Sequence, residues 1–290
     1  MRISRRFIAQ EWIYVKVPIA IIWLAFVLSS FFTYQNQPFS AGICQLFDCS
    51  FISREIPFWL LVVLFSGIAI LYILEKEMLI TTLLMGIFML ICFSLEESNG
   101  ILSRGLFTAV FFAQFFAYAF HRLNWIRNIE HYRLQFSAQI VAAAYFLSAL
   151  SKLSTSGFHW PSDGYRMAIQ ILKSFNYNYF DWGNVAYLSR GTSYANFILE
   201  HSMLVTISLS LALLLEFMVP IALFNRRVIF FFGLALLIMH IGIQLLMSIM
   251  IWPIVLPMIL IFINPFYLLV NGWPAMNSYI ARQMFKLTNR

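Results

Sequence analysis

Tyr145, Ser148 and Lys152 stand at i, i+3 and i+7 in an apolar, alanine-rich run that ends at Trp160-Pro161. That spacing places them on one helical face. Ala142, Ala144, Ala149 and Ser151 crowd the same stretch, and small residues of this kind let a neighbouring helix approach closely. A lysine ending such a run has two readings. It snorkels, with its stem along lipid and its ammonium in water, or it faces the bundle interior, where an ionisable group marks a site. The polar, small-residue face favours the interior.

Other ionisable residues within apolar runs are few, and each is a candidate for the same reason. His240 has Gln244 at i+4, with Gly233 and Leu237 completing a stripe; the imidazole is open to a structural, a proton-carrying or a ligating role. Glu216 has no charge partner nearby in sequence, so it must be protonated, paired across helices or beside a water-filled cavity. His159, Trp160, Asp163, Arg166 and Asp181 form a polar cluster able to cover Lys152, whereas Glu200 and His201 read as solvated residues at a helix start. Cys44 and Cys49 are open to two readings, a small disulfide loop on an oxidising face or two free thiols, and Cys92 reads as a packing residue. No metal site is expected: the histidines are dispersed, with no HxxxH or CxxC pair. A glycine-rich phosphate loop and a serine-centred nucleophile elbow are also missing from the sequence.

The elements that must position these groups follow from composition. The chain is 290 residues long, 61% hydrophobic and 11% charged, against about 25% charged in soluble chains. That implies an all-α polytopic membrane bundle of a single domain, 1–290. Spans of about 20 residues are expected at 12–33, 58–74, 78–95, 101–120, 134–153, 197–224 and 228–247, with an eighth ending near 270 and a tight turn near Trp252-Pro253 before it. Residues 154–195 form the one large outer insert. Within it a surface helix is expected over 164–174, N-capped by Asp163 or Ser162, with Met167, Ile171 and Leu172 as its apolar stripe. Of the 19 lysines and arginines, thirteen fall on one side of this arrangement, including Arg2, Arg5, Arg6, Arg226, Arg227 and Arg290; an excess of that sign places both termini in the cytoplasm. The net charge of +7 is spread in clusters at span ends, which argues for a lipid bilayer as partner and against nucleic acid. The basic start MRISRR leads into a run of full span length without a small-residue cleavage site, so no cleavable signal peptide is expected.

The order Tyr145, Ser148, Ser151-Lys152-Leu153, Trp160, Gly164, followed by Glu216, the basic turn Arg226-Arg227, then Met239-His240, Gln244, Ser248 and Pro253, resembles the HTTM (horizontally transferred transmembrane) domain. This is the membrane domain of vitamin K-dependent gamma-carboxylases, and the resemblance covers about 145–265. It implies that Lys152 is the base that deprotonates a vitamin K-like quinol, which requires an amine kept out of bulk water. It further implies that His240 is the family's intramembrane histidine, and that Tyr145, Ser148, Trp160, Gln244 and Glu216 surround the quinone. Carboxylases continue into a large lumenal substrate-binding domain, whereas this chain is expected to end after the eighth span. It looks most like short bacterial members, such as those that mature a sporulation-delaying peptide toxin. A multi-pass protein of the bacterial inner membrane is therefore expected, performing or assisting quinol-linked modification of a peptide on the exported face with a separate soluble or membrane partner protein. A non-catalytic factor for export or maturation is the alternative.

Overall fold

A computed structural model describes residues 7, 9–34, 36, 38–100, 105–248 and 252–272. Every regular element among them is helical: α1 (Ala9–Thr33), α2 (Phe51–Glu55), α3 (Phe58–Ile73), α4 (Met78–Glu97), α5 (Gly105–Arg122), α6 (Ile129–Ser156), α7 (Gly164–Trp182), α8 (Ala186–Glu200), α9 (Ser202–Ala222), α10 (Arg226–Met247), α11 (Trp252–Met258) and α12 (Pro265–Gly272). Short 3-10 turns lie at Gly42–Gln45 and Gly157–Ser162, and a π turn at Ile259–Ile263. Among the described residues five helices are long and apolar enough to cross a membrane: α1, α4, α6 with the turn that follows it, α9 and α10. Helix α3 and the stretch Trp252–Ile263 are apolar but shorter. Arg2, Arg5, Arg6 and the basic tail, on which the placement of the termini rests, lie outside the described residues.

The bundle has two distinguishable ends. At one, Lys16 of α1 donates to Glu75 at 2.6 Å and Arg133 of α6 donates to the other oxygen of the same carboxylate at 2.9 Å. Arg133 also stacks on the Trp12 ring, 4.3 Å from its centroid. At the opposite end Ser30 of α1 donates to Glu96 of α4 at 2.9 Å, and the Ile43 amide donates to Ser94 at 3.1 Å. Cys44 and Cys49 are disulfide-bonded beside this second contact, with a Cα separation of 5.3 Å. Helix α6 begins at the Arg133 end, so its last turns, with Lys152, lie towards the disulfide end.

Between the ends the core is aromatic. Trp12, Trp23, Phe31, Phe65 and Phe111 are fully or almost fully buried, and Trp23 meets Phe65 edge-on at 5.8 Å, a favoured geometry for two π systems. Its indole N–H donates to the Met85 carbonyl at 3.1 Å, satisfying the one polar atom such a ring carries.

Three expectations change. The insert is a helical hairpin rather than one short surface helix: Asp163 caps α7 by accepting from the Arg166 amide at 3.3 Å, and α7 runs to Trp182 before Gly183 turns the chain in the left-handed region, φ 65°. Ala168, Ile171 and Phe175 of α7 bury against Ala195 and Ile198 of α8, while Leu172 is exposed. Second, the span expected at 197–224 is broken at His201, whose φ/ψ of −109/44° ends α8 and starts α9. Third, the last apolar stretch is interrupted. Asn264 adopts left-handed geometry at φ 52°, which asparagine tolerates because its side chain bonds locally: it accepts from the Tyr267 amide at 3.2 Å and donates to the Glu11 carbonyl at 3.0 Å. Trp252 and Pro253 open α11, and residues 249–251 before them lie outside the described set. Arg226 of the basic turn is 2% exposed; it donates to Glu11 at 2.8 Å and to the Phe262 carbonyl at 2.7 Å, tying α10 to α1 and the π turn.

Candidate functional site

Lys152 approaches the site from α6 and Glu216 from α9. The ammonium donates to both carboxylate oxygens, at 2.7 and 2.5 Å. Glu216 stands in an apolar helix, where an isolated carboxylate is very costly, and Lys152 is its compensation. Helix α6 packs against α9, and Ala142 and Ala149 of α6 are fully buried, small residues of the kind that let a neighbouring helix approach closely. The two side chains differ in exposure, 26% for Lys152 and 6% for Glu216. The amine is thus the partner within reach of water. It also lies over Trp160, with Nζ 4.9 Å from the ring centroid, a cation–π contact that holds the ammonium on its aromatic side.

Both charges border a cavity of about 860 Å³. Its wall on α9 includes Ser208, Leu211, Ala212, Leu215 and Glu216, and its wall on α10 includes Ala235, Ile238, Met239, Gly242 and Ile243. From the insert, Asp163, Arg166, Met167 and Gln170 line it, whereas Asp181 and α8 do not. Leu211 and Ile238 are at once cavity wall and exposed surface, which marks a lateral mouth between α9 and α10. A cavity this large, mostly apolar with a few convergent polar groups, has the form of a small-molecule site.

His240 and Tyr145 form a second layer. The rings meet edge-on at 5.6 Å. Nδ1 of His240 lies 2.8 Å from the Leu236 carbonyl; a carbonyl only accepts, so Nδ1 carries the hydrogen, and a neutral ring keeps its lone pair on Nε2. The Tyr145 hydroxyl is buried with no hydrogen-bond partner among the described residues. Neither ring is part of the cavity wall. Glu216 belongs to the cavity wall, and the two rings adjoin it from α6 and α10.

The structure therefore brings Lys152, Glu216 and Trp160 to one cavity with Tyr145 and His240 adjoining. Ser148 and Gln244 are half-buried and line none of it, and Cys44 and Cys49 belong to the separate disulfide loop. No cluster of three metal-ligating side chains occurs among the described residues. The unforeseen parts are the small residues of the wall. Ser208 and Ala212 stand at i, i+4, and Ala235 and Gly242 at i, i+7, a helical spacing that signals close approach or a hollow. The chain matches no protein-family model, no curated protein and no solved structure.

Proposed function

We propose that this chain is a multi-pass protein of the bacterial inner membrane, built in the manner of the HTTM domain with about eight crossings. Its cavity takes the headgroup of a bilayer-dissolved, vitamin K-like quinol, and it performs or assists a quinol-linked modification or maturation of a peptide on the exported face. A separate partner protein supplies peptide recognition. What carries this reading is the meeting of an apolar-walled cavity of about 860 Å³ with one bonded amine–carboxylate pair. A lipid-soluble ring enters between α9 and α10, and its polar oxygens find charged partners at Lys152 and Glu216, while Asp163 and Arg166, the other charged groups of the lining, pair with each other.

In its resting pairing Lys152 is an ammonium held by a carboxylate. To accept a quinol proton it first passes one of its own to Glu216, leaving a neutral amine beside a carboxylic acid; the amine lone pair then takes the hydroxyl proton and leaves a quinolate next to the restored ammonium. Each step moves one proton over hydrogen-bonding distance. Trp160 keeps the amine at the cavity, and the Leu236 carbonyl holds His240 with Nε2 free to accept.

The same pair also favours a second reading, in which it ties α6 to α9 in a non-catalytic factor for peptide export or maturation. Lys152→Arg separates the two. Arginine keeps the ion pair but does not surrender its proton, so a base predicts a folded variant without quinol consumption or peptide maturation, and a tie predicts maturation at the ordinary level.

A further inference from the structure

A second, polar space adjoins the apolar one. It measures about 310 Å³ and is lined by Thr155, Ser156, His159, Ser162, Asp163 and Arg166. Thr155, Ser156, Asp163 and Arg166 also line the larger cavity, so the two share a wall at the last turn of α6 and the start of α7. Lys152 lies one turn before Ser156, on the larger cavity's side of that shared wall. His159 and Ser162 are exposed, and the 3-10 turn that carries them lies at the disulfide end of α6.

We propose that the two spaces are one site with two mouths, in which this polar vestibule is the port through which water and protons reach the Lys152–Glu216 pair from the face that carries the disulfide. The apolar mouth between α9 and α10 is the lipid-side entrance; that half rests on the quinol reading above, whereas the port does not. Three features assign water and protons to the vestibule rather than an anion. Arg166 Nε is committed to Asp163 at 2.8 Å, the α7 N-terminus is already capped by the same carboxylate, and the two charges cancel. Hydroxyls and an imidazole are left, groups that exchange protons with water and order it. The unequal exposure of the ion pair fits the same direction of access, since the amine, one turn from the shared wall, is the more exposed partner. The charged and titratable groups around the pair are His159 on the turn, Asp163 and Arg166 at α7, and His240 on α10 with Tyr145 beside it.

Single cysteines report on the port, because Cys92 is buried and Cys44 and Cys49 are bonded. Ser156→Cys and, as the lipid-side control, Ala212→Cys are placed in sealed membranes and treated from the disulfide face with a charged, membrane-impermeant thiosulfonate. Expected is modification of Ser156→Cys at least tenfold faster than of Ala212→Cys, and at least threefold slower in Ser156→Cys/Arg166→Trp, where the indole fills the vestibule. A lipid-soluble maleimide should reverse the first ranking. Modification of Ser156→Cys by the lipid-soluble reagent alone overturns the port, and so does a rate indifferent to the tryptophan. If the port holds while a quinol fails to slow maleimide modification of Ala212→Cys, the quinol reading fails and the port stands.

Discussion

At the scale of residues, the site turns on one amine and one carboxylate, and their substitutions are unequal. Lys152→Ala leaves Glu216 buried without compensation. The cost is expected to be about 2 kcal/mol, below the 3–5 kcal/mol of a fully enclosed pair because Lys152 is partly exposed. Lys152→Ala/Glu216→Ala removes both charges, so thermal unfolding should show the double variant less destabilised than the sum of the singles. Tyr145→Phe discards a hydroxyl that has no hydrogen-bond partner among the described residues, and the melting temperature should hold or rise slightly. A fall beyond a few degrees would show that the hydroxyl is satisfied in the folded protein. The face of Tyr145, Ser148 and Lys152 was legible from spacing alone, as was the anomaly of Glu216. Their consequences were not, because the partners are 64 positions apart and nothing local says which helices meet. Ser148 shows the limit: it shares the helical face yet lines no cavity, since a face is wider than a site.

At the scale of elements, two glycines set how closely helices approach. A Cβ on Gly233 would stand 2.8 Å from the Phe262 Cβ and 3.0 Å from Ile263, so Gly233→Ala pushes α10 from the π turn and strains the Arg226 bond to the Phe262 carbonyl. Overpacking of this kind costs about 1–3 kcal/mol, read as a lower melting temperature in detergent. Gly191→Ala meets the Phe175 Cβ at 2.7 Å and should open the α7–α8 hairpin. Its mark is faster proteolysis within the insert while the spanning helices stay protected; unchanged cleavage contradicts the tight packing. The sequence pattern revealed the apolar runs well and their breaks poorly. His201 sits between two stretches that each continue in helix, and the last apolar run breaks at Asn264-Pro265, a pair that marks a turn in sequence, whereas the bond from Asn264 to Glu11, 253 positions away, has no local signal.

At the scale of the whole molecule, the two ends carry different locks. At one, Glu75 lies outside the long helices; partial burial works to raise its carboxyl, but the bonds from Lys16 and Arg133 outweigh it and hold the group below the usual carboxylate range. A carboxylate depressed in the folded state adds stability above its unfolded value, about pH 4.3, and loses it as pH falls through the lower folded value. Acid should therefore lower the melting temperature more in the parent than in Glu75→Gln; equal slopes would contradict the lock. At the other end, closing the short Cys44–Cys49 loop is worth about 2 kcal/mol in the chain-entropy account, and a reductant should lower stability accordingly. An all-helical membrane bundle was evident from composition, while the number of crossings was not, since apolar length alone does not separate a spanning helix from a short or broken one. The most direct test of the central proposal is photolabelling with an azido-naphthoquinone in native membranes, followed by mapping of the modified peptides. The expected result is label on Leu215, Met239 or Ile243 that an unmodified naphthoquinone displaces. Label scattered over the lipid-facing helices, with no displacement, would contradict a quinone site in the cavity.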